Sequence, residues 1–314
     1  MQSVFHPEHA RLRAPLALLI GACVILAGGV SAQSITTPPN FANNNGGSAG
    51  GAVYFDVTII SGGGLILESF DCNTNLAAGS PVAIDVYTCP LTSIGNELIL
   101  ANWTLQGSGT GTSLGGGVGT PVDTTDFVMQ AGTYGMAIVN FAGHAYTNGT
   151  GANQTVATGE MSLSLGTASN VAFTGGLFSP RVWNGTIHYA PNANILDVQQ
   201  DMSLNLTATL SMLGANSYEG ITFLSNNTSL PIGQGPFLGM TPDALTWSCF
   251  GNPYAPSDPF HFRVTDPAWP TTPLNLPGII FAGLTGQTMD IMILFMDTSF
   301  AYDSSSNIVR YTFQ

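Results

Sequence analysis

AVYFDVTIISGGGLILESFDCN, Ala52 to Asn73, contains two apolar runs, rich in β-branched and aromatic residues, on either side of a triple glycine. Short runs of this kind, bounded by glycine, are typical of β-strands. The pattern recurs downstream as far as Tyr189, in PVAIDVYTC, WTLQGSG, DFVMQAGTYGMAIVNF, GEMSLSLGTA and WNGTIHY. Many short strands without a convincing helix predict an all-β fold, an antiparallel β-sandwich of the jelly-roll kind.

Several local details of this sandwich follow from residue patterns. Met161, Leu163 and Leu165 alternate with polar residues and are expected on one buried face of a strand. A turn is expected at Ala131–Gly132. A hairpin with its turn near residues 75–81 and a glycine-rich loop over residues 107–119 are also expected.

A second unit is predicted beyond the break APNAN, residues 190–194. MSLNLTATLSM, which ends at Met212, alternates apolar and polar residues, as in an antiparallel strand with one wet face. In TPDALTWSCF, Thr241 can cap a helix, Pro242 suits its first position and Asp243 favours its positive end. Residues 195–314 are therefore expected to form a smaller β-rich domain with one short helix. The alternative is one continuous sandwich with the helix as an insertion.

The N-terminus has the pattern of a secretory signal peptide. Arg11 and Arg13 precede an apolar run, and Val30-Ser31-Ala32 matches the small-residue pattern of a signal-peptide cleavage site. The run is too short for an ordinary membrane span, and no other stretch is long enough to be an integral membrane segment. We expect residues 1–32 to be a signal peptide, 33–50 a flexible polar lead-in and 51–190 the β-sandwich domain. The mature protein is expected to be secreted or associated with the cell surface.

The charge of the chain excludes some partners. It has 18 acids, 5 arginines and no lysine, for a formal net charge of −13. Removal of residues 1–32 takes away Glu8, Arg11 and Arg13, which leaves 17 acids and 3 arginines, a net charge of −14. Three scattered arginines cannot neutralise a nucleic-acid backbone or hold an anionic membrane surface.

Three cysteines remain after the signal peptide: Cys72, Cys89 and Cys249. Cys72 and Cys89 flank the expected hairpin, and an exported chain can keep disulfides. The two alternatives, a disulfide between them or two free thiols, both stay open. Cys249 is expected to be buried beside Trp247 and Phe250. None of the spacings matches a zinc site.

The candidate catalytic groups do not form a recognisable set. GTSLG matches the nucleophile motif G-x-S-x-G at Ser113, but its glycine-rich flanks favour a flexible loop over the required strand–turn–helix. His188 and His261 are expected on polar strand faces, and His144 on a loop as the freest of the three. No catalytic residue is assigned, and a pair of distant carboxylates meeting in a cleft is left open.

The loop HAYTNGTGANQT is the best candidate for a ligand site. Tyr146 offers a ring for stacking, and Asn148, Asn153 and Gln154 offer amides, a combination that suits neutral glycans. The same residues are also ordinary turn chemistry, which is the favoured interpretation. Asp71, Asp123 and Asp126 lie at expected strand ends. A structural calcium ion is therefore an open alternative, with no ligand set assigned and no other cofactor expected.

FSPRVWNGTIHY, Phe178 to Tyr189, contains one of the few cations. We expect Arg181 to have a structural role, with its stem buried and its guanidinium bonded to a carbonyl or carboxylate, or stacked on Trp183 or Phe178. Trp183 belongs to the same structural clasp on the last strand of the first unit.

Two sets of motifs carry a family resemblance. NNGGSAGGAVYFDVT, PVAIDVYT, YTNGTGANQT and LFSPRVWNGTIHY cover roughly residues 43–189, and LGMTPDALTWS, GQTMDIMILF and SNIVRYTF follow. They resemble uncharacterised exported β-sandwich proteins of planctomycete-type bacteria, related to domains of PEP-CTERM and choice-of-anchor proteins. The resemblance implies export and a β fold, and supplies no catalytic residues. Because the chain ends in VRYTFQ rather than in an anchor-like tail, anchoring is not expected.

Together these patterns predict an exported, non-enzymatic protein that is structural or adhesive at or outside the cell surface. Its expected partners are neutral glycans or other surface proteins. Two alternatives stay open: a glycan-binding, lectin-like module, with or without calcium, and a secreted hydrolase that uses Ser113 or a carboxylate pair.

Overall fold

The computed structural model describes residues 33–38, 41, 44–211 and 217–314. The predicted signal peptide, residues 1–32, and Met212 of the predicted strand lie outside the described residues. Within the described part, no helix has the length and apolarity needed to cross a membrane.

The described residues from 33 to 191 form fourteen strands and a short 3-10 helix, Leu100–Asn102. In chain order the strands are β1 Gln33–Thr36, β2 Asn45–Gly46, β3 Gly51–Ile59, β4 Leu65–Cys72, β5 Pro81–Pro90, β6 Thr104–Thr112, β7 Thr120–Met129, β8 Gly132–Asn140, β9 Ala145–Asn148, β10 Thr155–Ala157, β11 Met161–Val171, β12 Thr174–Phe178, β13 Arg181–Val182 and β14 Gly185–Pro191. The predicted turn at Ala131–Gly132 is confirmed, because it connects β7 to β8.

Eleven of these strands form one antiparallel sheet. Its order is β1-β14-β4-β7-β6-β5-β8-β3-β11-β10, with β12 paired to β11. The sheet is nearly closed, like a barrel, and its two edge strands β1 and β10 contact each other. Strands β13, β9 and β2 form a small separate sheet. The predicted all-β, antiparallel class is therefore confirmed.

The large sheet is buried on both faces near β3. Alternate side chains of β3 point into an inner core, which also contains the predicted buried face of β11; these residues are Val53, Phe55, Val57, Ile59, Met161, Leu163 and Leu165. Ala52 and Tyr54 point the other way, into an outer cluster with Cys89, Trp103 and Phe173. Burial on both faces explains why the run at residues 52–60 is almost continuously apolar.

Three local predictions are wrong. Strands β4 and β5 do not form a hairpin, since β4 pairs with β7 and β14 while β5 pairs with β6 and β8. The segment 33–50, predicted as a flexible lead-in, contributes β1 and β2, which pair with β14 and β9. The first part of the predicted glycine-rich loop is the strand β6.

Glycines occur in β6 because neighbouring backbone comes very close to it. A Cβ atom at Gly109 would collide with the carbonyl oxygen of Asp123, and one at Gly111 with that of Pro121, both on β7. A glycine run normally indicates a loop. Here glycine is instead required because β6 and β7 are tightly packed.

The described residues from 195 to 314 form eight strands, one α-helix and a second 3-10 helix. The strands are β15 Ile195–Gln200, β16 Leu206–Ser211, β17 Glu219–Ser225, β18 His261–Arg263, β19 Leu274–Leu276, β20 Thr288–Met296, β21 Tyr302–Ser305 and β22 Val309–Thr312; the α-helix, α1, is Ala244–Cys249 and the 3-10 helix is Gly278–Leu284. Strands β15, β16 and β19 form one sheet, and β18, β17, β20 and β21 form another, with β22 paired to β20.

The single predicted α-helix is confirmed, but its cap differs from the expected one. Asp243, not Thr241, is the N-cap residue. Its carboxylate accepts a hydrogen bond from the backbone nitrogen of Thr246 at 3.0 Å, and the Thr246 hydroxyl accepts one from the Asp243 nitrogen at 3.1 Å. This reciprocal capping box satisfies more orphan donors than a cap at Thr241 would.

Side-chain amides connect the large sheet to the later strands. Gln130 donates to the carbonyl of Ser306 at 3.1 Å and accepts from the nitrogen of Ile308 at 3.3 Å. Gln234 donates to the carbonyl of Thr133 at 3.0 Å. These bonds fix the two walls of the cleft described next. The division of the chain into two β-rich domains stays a prediction.

Candidate functional site

A cleft of about 650 Å³, here called the junction cleft, lies between the large sheet and the segment 230–239. One wall comes from the end of β5, the start of β6, the end of β7 and Gln130 after it. The other comes from the segment 230–239 and Tyr302 of β21. Its volume is in the range of small-molecule binding sites.

The cleft is lined by apolar side chains and by polar but uncharged ones, apart from one acid. Phe127, Met129 and Tyr134 are buried side chains that line it. Further apolar lining residues are Leu105, Val128, Leu230 and Leu238. Hydroxyl and amide side chains also line the cleft; these are Thr88, Asn96, Asn102, Thr104, Gln106, Thr125, Gln130 and Gln234. Within the described part of the chain, none of the lining residues is Arg, Lys or His.

Asp126 is the acid of the cleft. Its exposed carboxylate accepts no hydrogen bond from the described residues. Partial burial, followed by the like charges of Glu68 and Asp123, raises its pKa above the ordinary value. Asp126 is thus an acceptor without a partner and without a nearby countercharge.

Tyr302 supplies the accessible aromatic ring of the cleft. It is 40% exposed, whereas Phe127 and Tyr134 are almost fully buried. Burial raises the pKa of the Tyr302 hydroxyl, so this group is neutral at neutral pH. On the facing wall, the amide nitrogen of Gln106 donates to the Thr88 hydroxyl at 2.8 Å, which orients the Gln106 side chain.

Gln234 places a second unpaired acceptor in the lining. The residue is 8% exposed, and its Oε1 atom has no hydrogen-bond partner among the described residues. Next to it, Gly233 has φ +83°, and a Cβ there would collide with the Tyr134 hydroxyl. The segment can approach β8 only with glycine at this position.

The segment 91–105, here called the apolar loop, contributes Asn96, Ala101, Asn102, Thr104 and Leu105 to the lining of the cleft. Its exposed aliphatic side chains are Leu91, Ile94, Leu98, Ile99, Leu100 and Leu105. The loop is held by polar contacts: Asn102 donates to the Asn96 side chain at 2.7 Å, and the Trp103 indole donates to the Asn96 carbonyl at 2.8 Å. The Oδ1 atom of Asp56 accepts hydrogen bonds from both the nitrogen and the hydroxyl of Ser93, at 2.7 and 2.8 Å.

The predicted glycan loop has a different environment. Tyr146 is 3% exposed and belongs to the inner core, so its ring offers no free face to a sugar. The side-chain oxygen of Asn148 accepts a hydrogen bond from the Asn45 side chain at 2.9 Å. The Asn153 side chain accepts one from the Thr150 nitrogen and donates one to the backbone carbonyl of Asn148. Gln154 donates to Leu165 at 3.2 Å and accepts from the nitrogen of Gly151 at 3.0 Å. The amides of this loop stabilise the loop itself.

Arg181 and Trp183 lie beside that loop. The Arg181 guanidinium is 5.7 Å from the ring centroids of both Tyr146 and Phe178, and it donates to the Pro180 carbonyl at 2.9 Å. Trp183 does not take part in this stacking, since it is buried against Phe55 with centroids 5.5 Å apart and planes 8° apart. The two residues therefore occupy separate environments.

Ser113 begins the connection between β6 and β7, which ends before Thr120. It is buried there, and its hydroxyl lies 3.3 Å from the Leu76 carbonyl and accepts from the Gly115 nitrogen at 3.1 Å. A nucleophile needs an accessible oxygen beside a base, and the Ser113 oxygen is occupied by backbone contacts.

The histidines take structural positions, and the expectation that His144 is the freest is wrong. His144 is 2% exposed, its Nε2 donates to the Ile138 carbonyl at 3.0 Å, and burial lowers its pKa to about 4. His188 lies 2.9 Å from Asp71 on a strand face. His261 lies 3.3 Å from the buried carboxylate of Glu219, which also accepts from Arg263 at 3.1 Å.

The cysteines are free and buried. Cys72 belongs to the inner core and Cys89 to the outer cluster, with β7 and β6 between their strands. Burial raises the pKa of each thiol to about 12, so neither is a ready nucleophile. Among the described residues, no group of three or more His, Cys, Asp or Glu is arranged to hold a metal ion.

The sequence reasoning missed the junction cleft. Of its residues, the sequence analysis singled out Asp126, as an acid at a strand end, and Cys89, as a possible disulfide partner. The remaining contributors come from four separated segments of the chain, so no local motif indicates them. A local signal that the sequence does offer is the concentration of leucine and isoleucine in LTSIGNELILANWTL, residues 91–105, which contribute part of the lining.

Comparison with known proteins adds no assignment to this geometry. No protein-family model matches the chain, and no curated protein sequence matches it.

Proposed function

We propose that the protein is exported and acts without catalysis, as an adhesive or structural component at or outside the cell surface. The observation that carries the proposal is the apolar loop, which exposes six leucine or isoleucine side chains on an acidic, lysine-free protein. A concentration of large apolar side chains in one exposed segment is more typical of a surface that binds a partner than of a surface that stays in contact with solvent.

The expected partner of the apolar loop is an apolar patch on another surface protein. Burial of aliphatic surface contributes roughly 25 cal/mol per Å², and it requires no charge complementarity. The net charge of −13 disfavours anionic surfaces as partners. Because hydrogen bonds hold the loop in one conformation, binding costs little ordering entropy.

Retention on isolated cell envelopes tests the adhesive role. Replacement of Ile94, Leu98 and Leu100 by serine is expected to lower retention, because it removes the exposed aliphatic surface. The matched control replaces Ile60, Val171 and Leu177, which are also exposed but lie outside the loop. Equal retention of the two triple variants and the unmodified protein would contradict adhesion through this loop.

Export is tested by fractionation and N-terminal sequencing. The signal-peptide pattern and the family resemblance support a mature protein that begins at Gln33 and is found outside the cytoplasm. Recovery of the intact N-terminus in the cytoplasmic fraction would refute export.

A further inference from the structure

We propose that the junction cleft binds a neutral saccharide. This inference goes beyond the proposed adhesive role, since it assigns a small-ligand site to a cleft that shares only Leu105 with the exposed aliphatic side chains of the apolar loop.

The charge of the lining excludes anionic ligands. The described lining contains one carboxylate, Asp126, and no cation that could neutralise a sulfate, phosphate or carboxylate. The chain as a whole carries a net charge of −13, which repels anions from the cleft at long range. The ligand must therefore be neutral or cationic.

The balance of polar groups favours a neutral ligand over a cationic one. Recognition of an organic cation typically relies on several exposed aromatic faces, whereas Tyr302 is half-exposed and the rings of Phe127 and Tyr134 are buried. Together with apolar side chains, hydroxyl and amide side chains line the walls. Such groups both donate and accept, which matches the hydroxyl groups of a sugar.

Two acceptors in the lining lack donors. The Asp126 carboxylate accepts no hydrogen bond from the described residues, and Gln234 is more than nine-tenths buried with its Oε1 unpartnered. A hydrogen bond to a charged acceptor is about twice as strong as one to a neutral acceptor, and the Asp126 carboxylate is the exposed, charged acceptor of the cleft. A sugar hydroxyl can donate to the exposed Asp126 carboxylate, whereas the Gln234 Oε1 atom is buried from solvent.

Tyr302 completes the site with an apolar contact. Its ring is the accessible aromatic surface among the described lining residues, and its strand β21 contacts β7. The apolar face of a pyranose can pack on such a ring while its hydroxyl groups face Asp126 and the amides. The site thus combines one stacking surface with a polar wall.

A glycan array that contains neutral, acidic and amino-sugar glycans, probed with the purified protein, tests the proposal. Binding to neutral glycans is expected. Asp126→Asn should weaken it roughly tenfold through loss of a charged acceptor. Tyr302→Ala should weaken it by roughly fivefold through loss of stacking, while Tyr302→Phe should retain binding.

Matched variants separate the site from general effects. Phe300→Ala removes an exposed ring close to Tyr302 in sequence, and Asp197→Asn removes an exposed acid, yet neither residue lines the cleft. Both should bind like the unmodified protein. The proposal is overturned if no glycan binds, if only acidic or amino-sugar glycans bind, or if neutral binding is unchanged in both Asp126→Asn and Tyr302→Ala.

The envelope-retention assay is independent of this result. The serine replacements at Ile94, Leu98 and Leu100 leave the lining residues in place. Loss of retention with normal glycan binding would be consistent with the saccharide site. Normal retention without glycan binding would refute the saccharide site and leave the adhesive role unaffected.

Discussion

The loop at residues 144–155 and the junction cleft contain the same kinds of side chain, but they differ in where the polar atoms find partners. In the loop, Asn153 and Gln154 are bonded within their own segment or to β11, and Tyr146 is in the core. In the cleft, Asp126 and Gln234 keep acceptors without donors. Aromatic and amide residues together therefore indicate a binding site only where the fold leaves them unpaired.

The largest effect should come from the buried aromatic residue of the loop. Tyr146→Ala is expected to lower the free energy of unfolding by about 3–5 kcal/mol, because it removes a ring that is 3% exposed in the inner core. Denaturant unfolding measures this loss. Tyr302→Ala is the control and should cost less than about 1 kcal/mol, as expected for a half-exposed residue. A Tyr146→Ala protein that keeps its stability and loses glycan binding would move the site back to the loop.

His144, which begins the same loop, should make the protein sensitive to acid. Burial lowers the pKa of His144 to about 4 in the folded protein, from an ordinary 6.5 in the unfolded chain. As the pH falls, the unfolded chain therefore takes up a proton first. The stabilising contribution is complete above about pH 6.5 and is lost progressively as the pH falls towards 4.

This loss should reach about 2–3 kcal/mol, since each unit of pKa difference is equivalent to 1.36 kcal/mol. Denaturant unfolding at pH 7, 5.5 and 4.5 measures it. His144→Gln keeps a donor for the Ile138 carbonyl but cannot titrate, so its stability should fall less steeply. Identical pH profiles for the two proteins would show that His144 does not carry the effect.

The fold was predictable from the sequence because strand signals are local. The alternation at Met161, Leu163 and Leu165 and the turn at Ala131–Gly132 depend on neighbouring residues, and both are present in the structure. Strand pairing was not predictable in the same way. The runs that became β4 and β5 are consecutive in the chain, yet two other strands lie between them in the sheet. Which strands pair depends on long-range packing, which a short sequence window does not contain.

The site was less predictable than the fold for a related physical reason. Whether a polar side chain is free depends on what the rest of the chain brings to it. His144 appeared to be free in its loop because the sequence gives no sign that its ring donates to the Ile138 carbonyl inside the barrel. Conversely, Gln106, Asp126, Gln234 and Tyr302 are distant in sequence, and their common surface exists only after folding.

Arg181 connects the loop to its surroundings, and its replacement should have a smaller effect. Arg181→Met is expected to cost about 1 kcal/mol, because the guanidinium contacts the rings of Tyr146 and Phe178 at 5.7 Å and bonds one backbone carbonyl. For a protein of this size, this corresponds to a melting temperature lower by about 2–4 °C, measurable by calorimetry. An unchanged melting temperature together with lost ligand binding would instead assign Arg181 a functional role.

The smallest effect on stability should come from Asp126, and it should have the opposite sign. Partial burial and the charges of Glu68 and Asp123 raise the pKa of this carboxyl, so its ionised form destabilises the folded protein at neutral pH. Asp126→Asn is therefore expected to stabilise the protein, by less than about 1 kcal/mol because the group is exposed and screened by solvent. The gain should disappear at a pH low enough to protonate Asp126 in both states.

Denaturant unfolding of Asp126→Asn and the Asp197→Asn control at pH 7 and pH 3 measures this difference. A group that destabilises the folded state yet is retained at a cleft wall is expected where binding, rather than folding, requires its charge. If Asp126→Asn lowers stability at pH 7, the carboxylate has an unrecognised folding partner. The contrast between a loop whose polar side chains have hydrogen-bond partners and a cleft whose acceptors lack them would then not hold at Asp126.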